Sequence, residues 1–170
     1  FARKTLRELG GFDPTYARRH EDWELGIRAV EQGLKLAYDS RAIAAHHLDT
    51  SLEGAVHRAR DEGRADVLLA RSYPAVTLEL PLASQLGRAS ADLCAQSAEL
   101  EKAATYERSG RRRAWRSVTN GLFHGSYVAG VRDEIPDESA YRAFAAQTAA
   151  TRPTRVLLQR DGSSAPAVPA

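Results

Sequence analysis

At 170 residues, with 43% hydrophobic and 27% charged side chains, the chain is long enough for one domain with a core of its own. A formal net charge of +2 argues against a general grip on nucleic acid, although arginines greatly outnumber lysines and can form local anion sites. The single cysteine, Cys94, rules out an internal disulfide and a cysteine-built zinc site; it reads as core filling and fits a reducing, cytoplasmic compartment.

The chain opens at Phe1 and contains no Met, so it reads as a segment of a longer protein. No signal peptide precedes Arg3 and Lys4, and no stretch approaches the roughly 18 apolar residues of a membrane span, so the expectation is a soluble segment with at most peripheral contact at the inner face of a membrane. Residues 3 to 9 read as a short helix stopped by Gly10 and Gly11, followed by a turn in which Asp13 caps and Pro14 presets φ. A loop through Arg18 and Arg19 leads to a helix over residues 22 to 32, ended by Gly33. Residues 34 to 38 alternate like a strand, Asp39 and Ser40 turn, and residues 42 to 47 make a second short extended run.

From Thr50 the pattern becomes helical. Thr50 and Glu53 have capping-box spacing and open a long helix to about Arg71, with Leu52, Val56, Ala59, Gly63, Val67 and Ala70 as its apolar stripe. Further helices are expected over 82 to 107, 112 to 131 and 137 to 149, the last capped by Asp137. Residues 156 to 158 form a short apolar run that reads as a strand or an ordered edge. Residues 162 to 170, rich in Ser, Ala and Pro, read as a disordered tail.

The string His20-Glu21-Asp22-Trp23-Glu24-Leu25-Gly26 sets carboxylates at the start of an amphipathic run with Trp23, Ile27 and Val30 on one face. Free backbone N–H groups and the helix dipole favour ionised carboxylates there, which suits a general base or a cation site, although acidic residues in a first turn usually only cap the helix.

Taken in order, Leu9 to Asp13, His20 to Arg28, Gly33 with Tyr38 and Asp39, and Ala42 to His47 resemble the C-terminal half of a family 2 glycosyltransferase catalytic domain. The resemblance covers roughly residues 3 to 74. It implies an α/β fold, the C-terminal part of a GT-A domain over residues 1–74, followed by a mainly helical extension over 75–150 and an extended segment with a tail over 151–170.

The activity implied is transfer of a sugar from a nucleotide-sugar donor to an acceptor hydroxyl on a saccharide, lipid-linked or protein acceptor. The family tendency makes that transfer inverting. The Gln-x-x-Arg-Trp signature of processive synthases is absent and so are membrane spans, which points to a non-processive enzyme. Asp22 aligns with the catalytic base and Glu21 is the second choice, since two carboxylates in sequence can divide deprotonation and orientation. Trp23 is either a wall against a sugar ring or core. Gly10 and Gly11 allow the backbone to turn closely where an acceptor would lie, and they are also a helix stop.

His46 aligns with a histidine that in several GT-A enzymes lies near the donor diphosphate or completes a metal site. The cofactor implied is therefore a divalent metal, Mn2+ or Mg2+, with imidazole suiting manganese better. His47, its neighbour, would face the other way on a strand, and Asp49 is placed to orient His46. The Asp-rich motif that holds metal and nucleotide in this family is expected upstream, so the segment alone is expected to be inactive and to need the N-terminal half of the catalytic domain as partner.

Arg60 and Arg64, on a strip with His57, could reach a diphosphate or a lipid-linked phosphate, or simply face solvent. Arg111, Arg112, Arg113, Trp115 and Arg116 form a basic cluster suited to anionic headgroups or to solubility. The reading from another class is a non-enzymatic helical interaction module over residues 75 to 150 with a degenerate transferase remnant. A metal-dependent hydrolase built on His20, Glu21, Asp22, His46, His47 and Asp49 is weaker, because their spacing matches no known ligand motif.

Overall fold

The computed structural model describes residues 2–35, 37, 39–45, 51–86 and 96–150. Among these, every regular element is helical: α1 (Arg3–Glu8), a 3-10 turn (Pro14–Tyr16), α2 (Glu21–Glu31), α3 (Leu52–Ser72), a second 3-10 turn (Pro74–Glu79), α4 (Leu82–Leu86), α5 (Gln96–Arg108), α6 (Arg112–Glu134) and α7 (Glu138–Ala150). The expected α/β architecture and its GT-A sheet are therefore corrected to an all-helical arrangement of the described residues.

The reason is visible at the two runs that read as strands. Leu34, Lys35 and Ala37 of the first, and Ala42 to Ala45 of the second, carry no ladder; Leu36, Tyr38, His46 and His47 lie outside the described residues. Between them the chain satisfies itself locally. Ala42 N–H donates to the Asp39 carbonyl at 3.0 Å, and the Asp39 carboxylate takes both the Arg41 backbone N–H at 2.9 Å and its guanidinium at 3.0 Å. Ile43 is 87% exposed, so neither face of this run is covered. Alternation fixes which side chains share a face, but a strand needs neighbours, and an isolated ribbon is marginal in water.

The helix boundaries follow their caps. Gly10 and Gly11 have φ of +84° and +74°, and Gly11 N–H closes on the Leu6 carbonyl at 2.9 Å to end α1. Asp13 caps the following turn through Thr15 N–H at 2.8 Å. Gly33, φ +81°, ends α2. The expected cap of α3 shifts by one residue: Ser51, not Thr50, accepts the Gly54 N–H at 3.0 Å. The single helix expected over 82 to 107 is α4 and α5 with residues 87–95, Cys94 among them, outside the described set. Asp137 caps α7 through the Ala140 N–H at 2.7 Å, as its sequence position indicates.

The frame is the crossing of α3 and α6, the two longest helices, with α5 and α4 packed on α6 and α7 on α4. Two glycines set its closeness. A Cβ on Gly63 would overlap the Tyr127 carbonyl, and one on Gly130 would overlap the Arg60 carbonyl, so each helix lets the other's backbone in. The main core gathers Val67, Leu69, Leu82, Val131, Ile135 and Tyr141 beside Tyr16. Each such side chain contributes about 1.5–3 kcal/mol on burial.

A smaller cluster of Leu9, Leu25 and Ala29 joins α1 to α2. Here the expected face of α2 is corrected. Leu25 and Ala29 are buried, Ile27 is partly buried, and Trp23 and Val30 are 45% and 53% exposed. The side that docks is chosen by the polar residues between the apolar ones, because Glu24 and Arg28 find partners in the glycine turn and at the end of α3.

Candidate functional site

Arg28 holds the glycine turn. Its guanidinium donates to the Leu9 carbonyl and, at 2.7 Å, to the Gly11 carbonyl, and Glu24 grips the other side of the same group at 2.7 and 2.6 Å. A Cβ on Gly10 would meet that guanidinium only at ordinary contact distance, 3.7 Å, so it is the φ of +84° that calls for glycine there. The Glu24 carboxylate, 2% exposed, keeps the Arg28 charge well in place and raises its pKa above the ordinary arginine value. Tyr73, at the end of α3, donates its hydroxyl to Glu24 at 2.9 Å; burial, and then the Glu24 carboxylate, push that hydroxyl up to about 12.

At the other end of α2, His20 stands at the N-cap in the left-handed region, φ 65°, and offers no side-chain cap. Left-handed backbone is uncommon outside glycine, though histidine is enriched there. Its ring turns instead into the interior, where Nε2 lies 2.7 Å from Asp66 Oδ1; the carboxylate accepts, so Nε2 carries the proton. Tyr127 from α6 donates its hydroxyl to the other Asp66 oxygen, and Glu62 stands 3.8 Å from His20 Nε2. Burial opposes a charged His20 ring, but the Asp66 hydrogen bond and the Asp66 and Glu62 charges outweigh it, leaving the pKa above the ordinary 6.5. Burial beside Asp66 drives the Tyr127 hydroxyl far above its usual range.

This pairing carries α2 onto α3 together with Arg19 to Glu62 at 3.2 Å, Arg18 to Asp61 at 3.5 Å and the Tyr16 hydroxyl to Ser72 at 3.0 Å. The result is a fixed first turn of α2 on which Asp22 and Glu21 are exposed. Asp22 Oδ1 accepts the Trp23 N–H at 2.9 Å, and its second oxygen has no partner among the described residues. The Trp23 ring lies 5.4 Å from the His20 ring, tilted by 36°. An exposed carboxylate beside an exposed indole can accept a proton from a hydroxyl held against that ring.

The remaining sequence candidates fall elsewhere. Arg60 and Arg64 do not face this turn as free cations. Arg60 makes a two-point contact with Asp133 of α6 at 2.7 and 2.8 Å, and Arg64 reaches Asp133 at 2.6 Å and Asp61 at 3.2 Å. These guanidinium groups, Arg60 first, hold the Asp133 carboxyl below its usual range. Trp115 of the basic cluster packs against Val56, Ala103 and Leu122. His46, His47 and Asp49 lie outside the described residues.

Sequence reading missed Asp66, although a signal existed. Residue 66 sits on the α3 stripe three places after Gly63 and one before Val67, so an acid there has to be buried and therefore partnered. His20, Glu62 and Asp66 bring a ring nitrogen and two carboxylates within 4.8 Å of one another. The set fits a divalent ion poorly, because His20 and Tyr127 already occupy both Asp66 oxygens and the His20 nitrogen points its proton at Asp66.

No family model matches the chain, and no curated protein or solved structure matches it. Among the described residues no helix is long and apolar enough to cross a membrane.

Proposed function

We propose that this chain is the acceptor-side part of a glycosyltransferase of the family 2 type, with Asp22 as general base. One arrangement supports the reading: Arg28 binds the glycine turn and α2 into a single unit whose exposed first turn carries Asp22 next to Trp23. Two of the four stretches quoted for the resemblance, Leu9 to Asp13 and His20 to Arg28, are thus held against one another. In this reading the nucleotide-sugar donor and its divalent metal are held by groups outside the described residues. Trp23 offers its face to the acceptor ring and Asp22 takes the acceptor hydroxyl's proton. The freed oxygen attacks the anomeric carbon as the bond to the nucleoside diphosphate breaks on the opposite face.

Replacing Asp22 with Asn in the intact enzyme keeps shape and removes the base. Transfer from a nucleotide-sugar donor should fall by about 10²–10⁴-fold with donor binding retained. Unchanged turnover would discard the assignment. It would favour the second reading, a helical interaction module, which the all-helical character of the described residues supports and which is indifferent to Asp22.

A further inference from the structure

The hairpin of α5 and α6 carries an excess of positive charge at its turn. Residues 108 to 116 hold five arginines and no acid, so the remaining 19 basic and 22 acidic residues leave the rest of the chain formally at −3 against a total of +2. The surplus is therefore local. Residues 107 to 113 are exposed without a break, and Arg116 is exposed as well.

The turn that presents them is fixed. Gly110, φ +69°, lets the Arg111 N–H close on the Tyr106 carbonyl at 3.0 Å, and α6 begins at the next residue. Trp115 packs against Val56, Ala103 and Leu122, which sets the rotation of α6 and leaves Arg112 and Arg116, four residues apart, exposed on one side. Like charges at that spacing repel, so the pair does not serve the helix itself. Together with Tyr106 and Trp115 they line a recess of about 440 Å³, and Glu107 is the carboxylate in its lining.

Such a tip fits a flat anionic surface. Guanidinium groups take phosphate oxygens on two points. The acidic end of the hairpin stays clear, because Asp133 and Glu134 stand about 30 Å along α6 from Arg112, well past the roughly 8 Å over which charges act at physiological salt. Nucleic acid fits less well, since it favours a longer strip of cations or a free aromatic face, and the Trp115 ring is committed to the interior. We propose that the α5–α6 tip docks on an anionic phospholipid surface, with a headgroup phosphate in the recess between Arg112 and Arg116. This docking is independent of the glycosyl-transfer reading.

Co-sedimentation of the intact chain with vesicles tests it, comparing phosphatidylcholine alone with phosphatidylcholine and phosphatidylglycerol at about three to one. The chain should pellet with the anionic vesicles only, and should be released between about 0.1 M and about 0.5 M salt. Each arginine at such a surface is worth about fivefold in partitioning, so Arg112→Gln with Arg116→Gln should weaken binding about 25-fold. Arg3→Gln with Arg7→Gln, the same loss of charge at exposed positions of α1, should change it less than about threefold, and Glu107→Gln should strengthen it. All variants are checked for retained helicity. Equal binding to neutral vesicles, or no binding to either kind, overturns the proposal. So does a tip pair that binds like the parent chain, or a loss that is the same for the tip and α1 pairs. Displacement by excess inorganic phosphate at fixed ionic strength overturns it in favour of a free-phosphate site. Binding of polyuridylate or polyglutamate without binding of vesicles overturns it in favour of an RNA or acidic-protein surface.

Discussion

The α3–α6 crossing and the seat of α2 on α3 hold the molecule together by different physics. At the crossing, Gly63 and Gly130 bring backbone against backbone and the core closes around them with aliphatic side chains. At the seat, the apolar contribution is Tyr16 and the partly buried Ile27 against the edge of the main core, and the registry is set by His20 with Asp66, Glu24 with Tyr73 and Arg19 with Glu62. Close packing is insensitive to pH and fails all at once. A polar seat is directional, titratable and able to loosen while the frame persists.

The sharpest way to break that contrast is Gly130→Val, which drives a branched side chain into the Arg60 carbonyl. It should cost about 3 kcal/mol or more and lower the urea midpoint for the whole chain. Loss confined to α2 would show that the frame is not where the stability lies. Asp66→Asn comes next, because it removes the charge that accepts from both His20 and Tyr127. It should cost about 2–4 kcal/mol and raise amide exchange in α2 more than in α6.

Arg28→Lys tests the seat from its other end. An ammonium cannot span the Leu9 and Gly11 carbonyls while meeting Glu24 on two points, so a loss of about 1–2 kcal/mol is expected, read as faster exchange in α1 and α2 alone. The smallest effect is that of pH. Because the folded pKa of His20 is raised, its contribution is complete below the unfolded value near 6.5 and fades as pH climbs through the higher folded value. The groups that face the ring are Asp66, Glu62 and Arg19, with Tyr127 behind Asp66. Protection at the start of α2, relative to the base-catalysed intrinsic exchange rate, should therefore fall above neutral pH while that of the α3–α6 crossing is unmoved, and His20→Gln should flatten the dependence.

Much of the helical frame was legible, for reasons that attach to particular residues. Gly33 and Asp137 mark helix ends by backbone chemistry that acts within one turn. Ser51 in place of Thr50 is the limit of that reading, since adjacent hydroxyls are equivalent until the backbone angles choose between them. What was not legible depends on partners distant in sequence. The period-two run at residues 34 to 38 carries no information about whether another strand lies beside it. The docking side of α2 was read from Trp23, Ile27 and Val30, yet Glu24 and Arg28 decided it through the Gly11 carbonyl and Tyr73. At the candidate site, local pattern marked Glu21, Asp22 and Trp23 as a helix start, and the resemblance singled out Asp22 as a base. Asp66 and Tyr127, 46 and 61 residues apart from their partners, were marked by neither.

The exposed indole of Trp23 has an optical consequence. The chain has two tryptophans, and the other, Trp115, buries its indole nitrogen in the α5–α6 cluster. Trp23 emission should therefore lie to the red and be the fraction open to acrylamide, and with the His20 imidazole 5.4 Å away it should dim when that ring is protonated. The molecule thus carries its own fluorescent probe at the turn to which the proposed transfer assigns the acceptor, readable without any label.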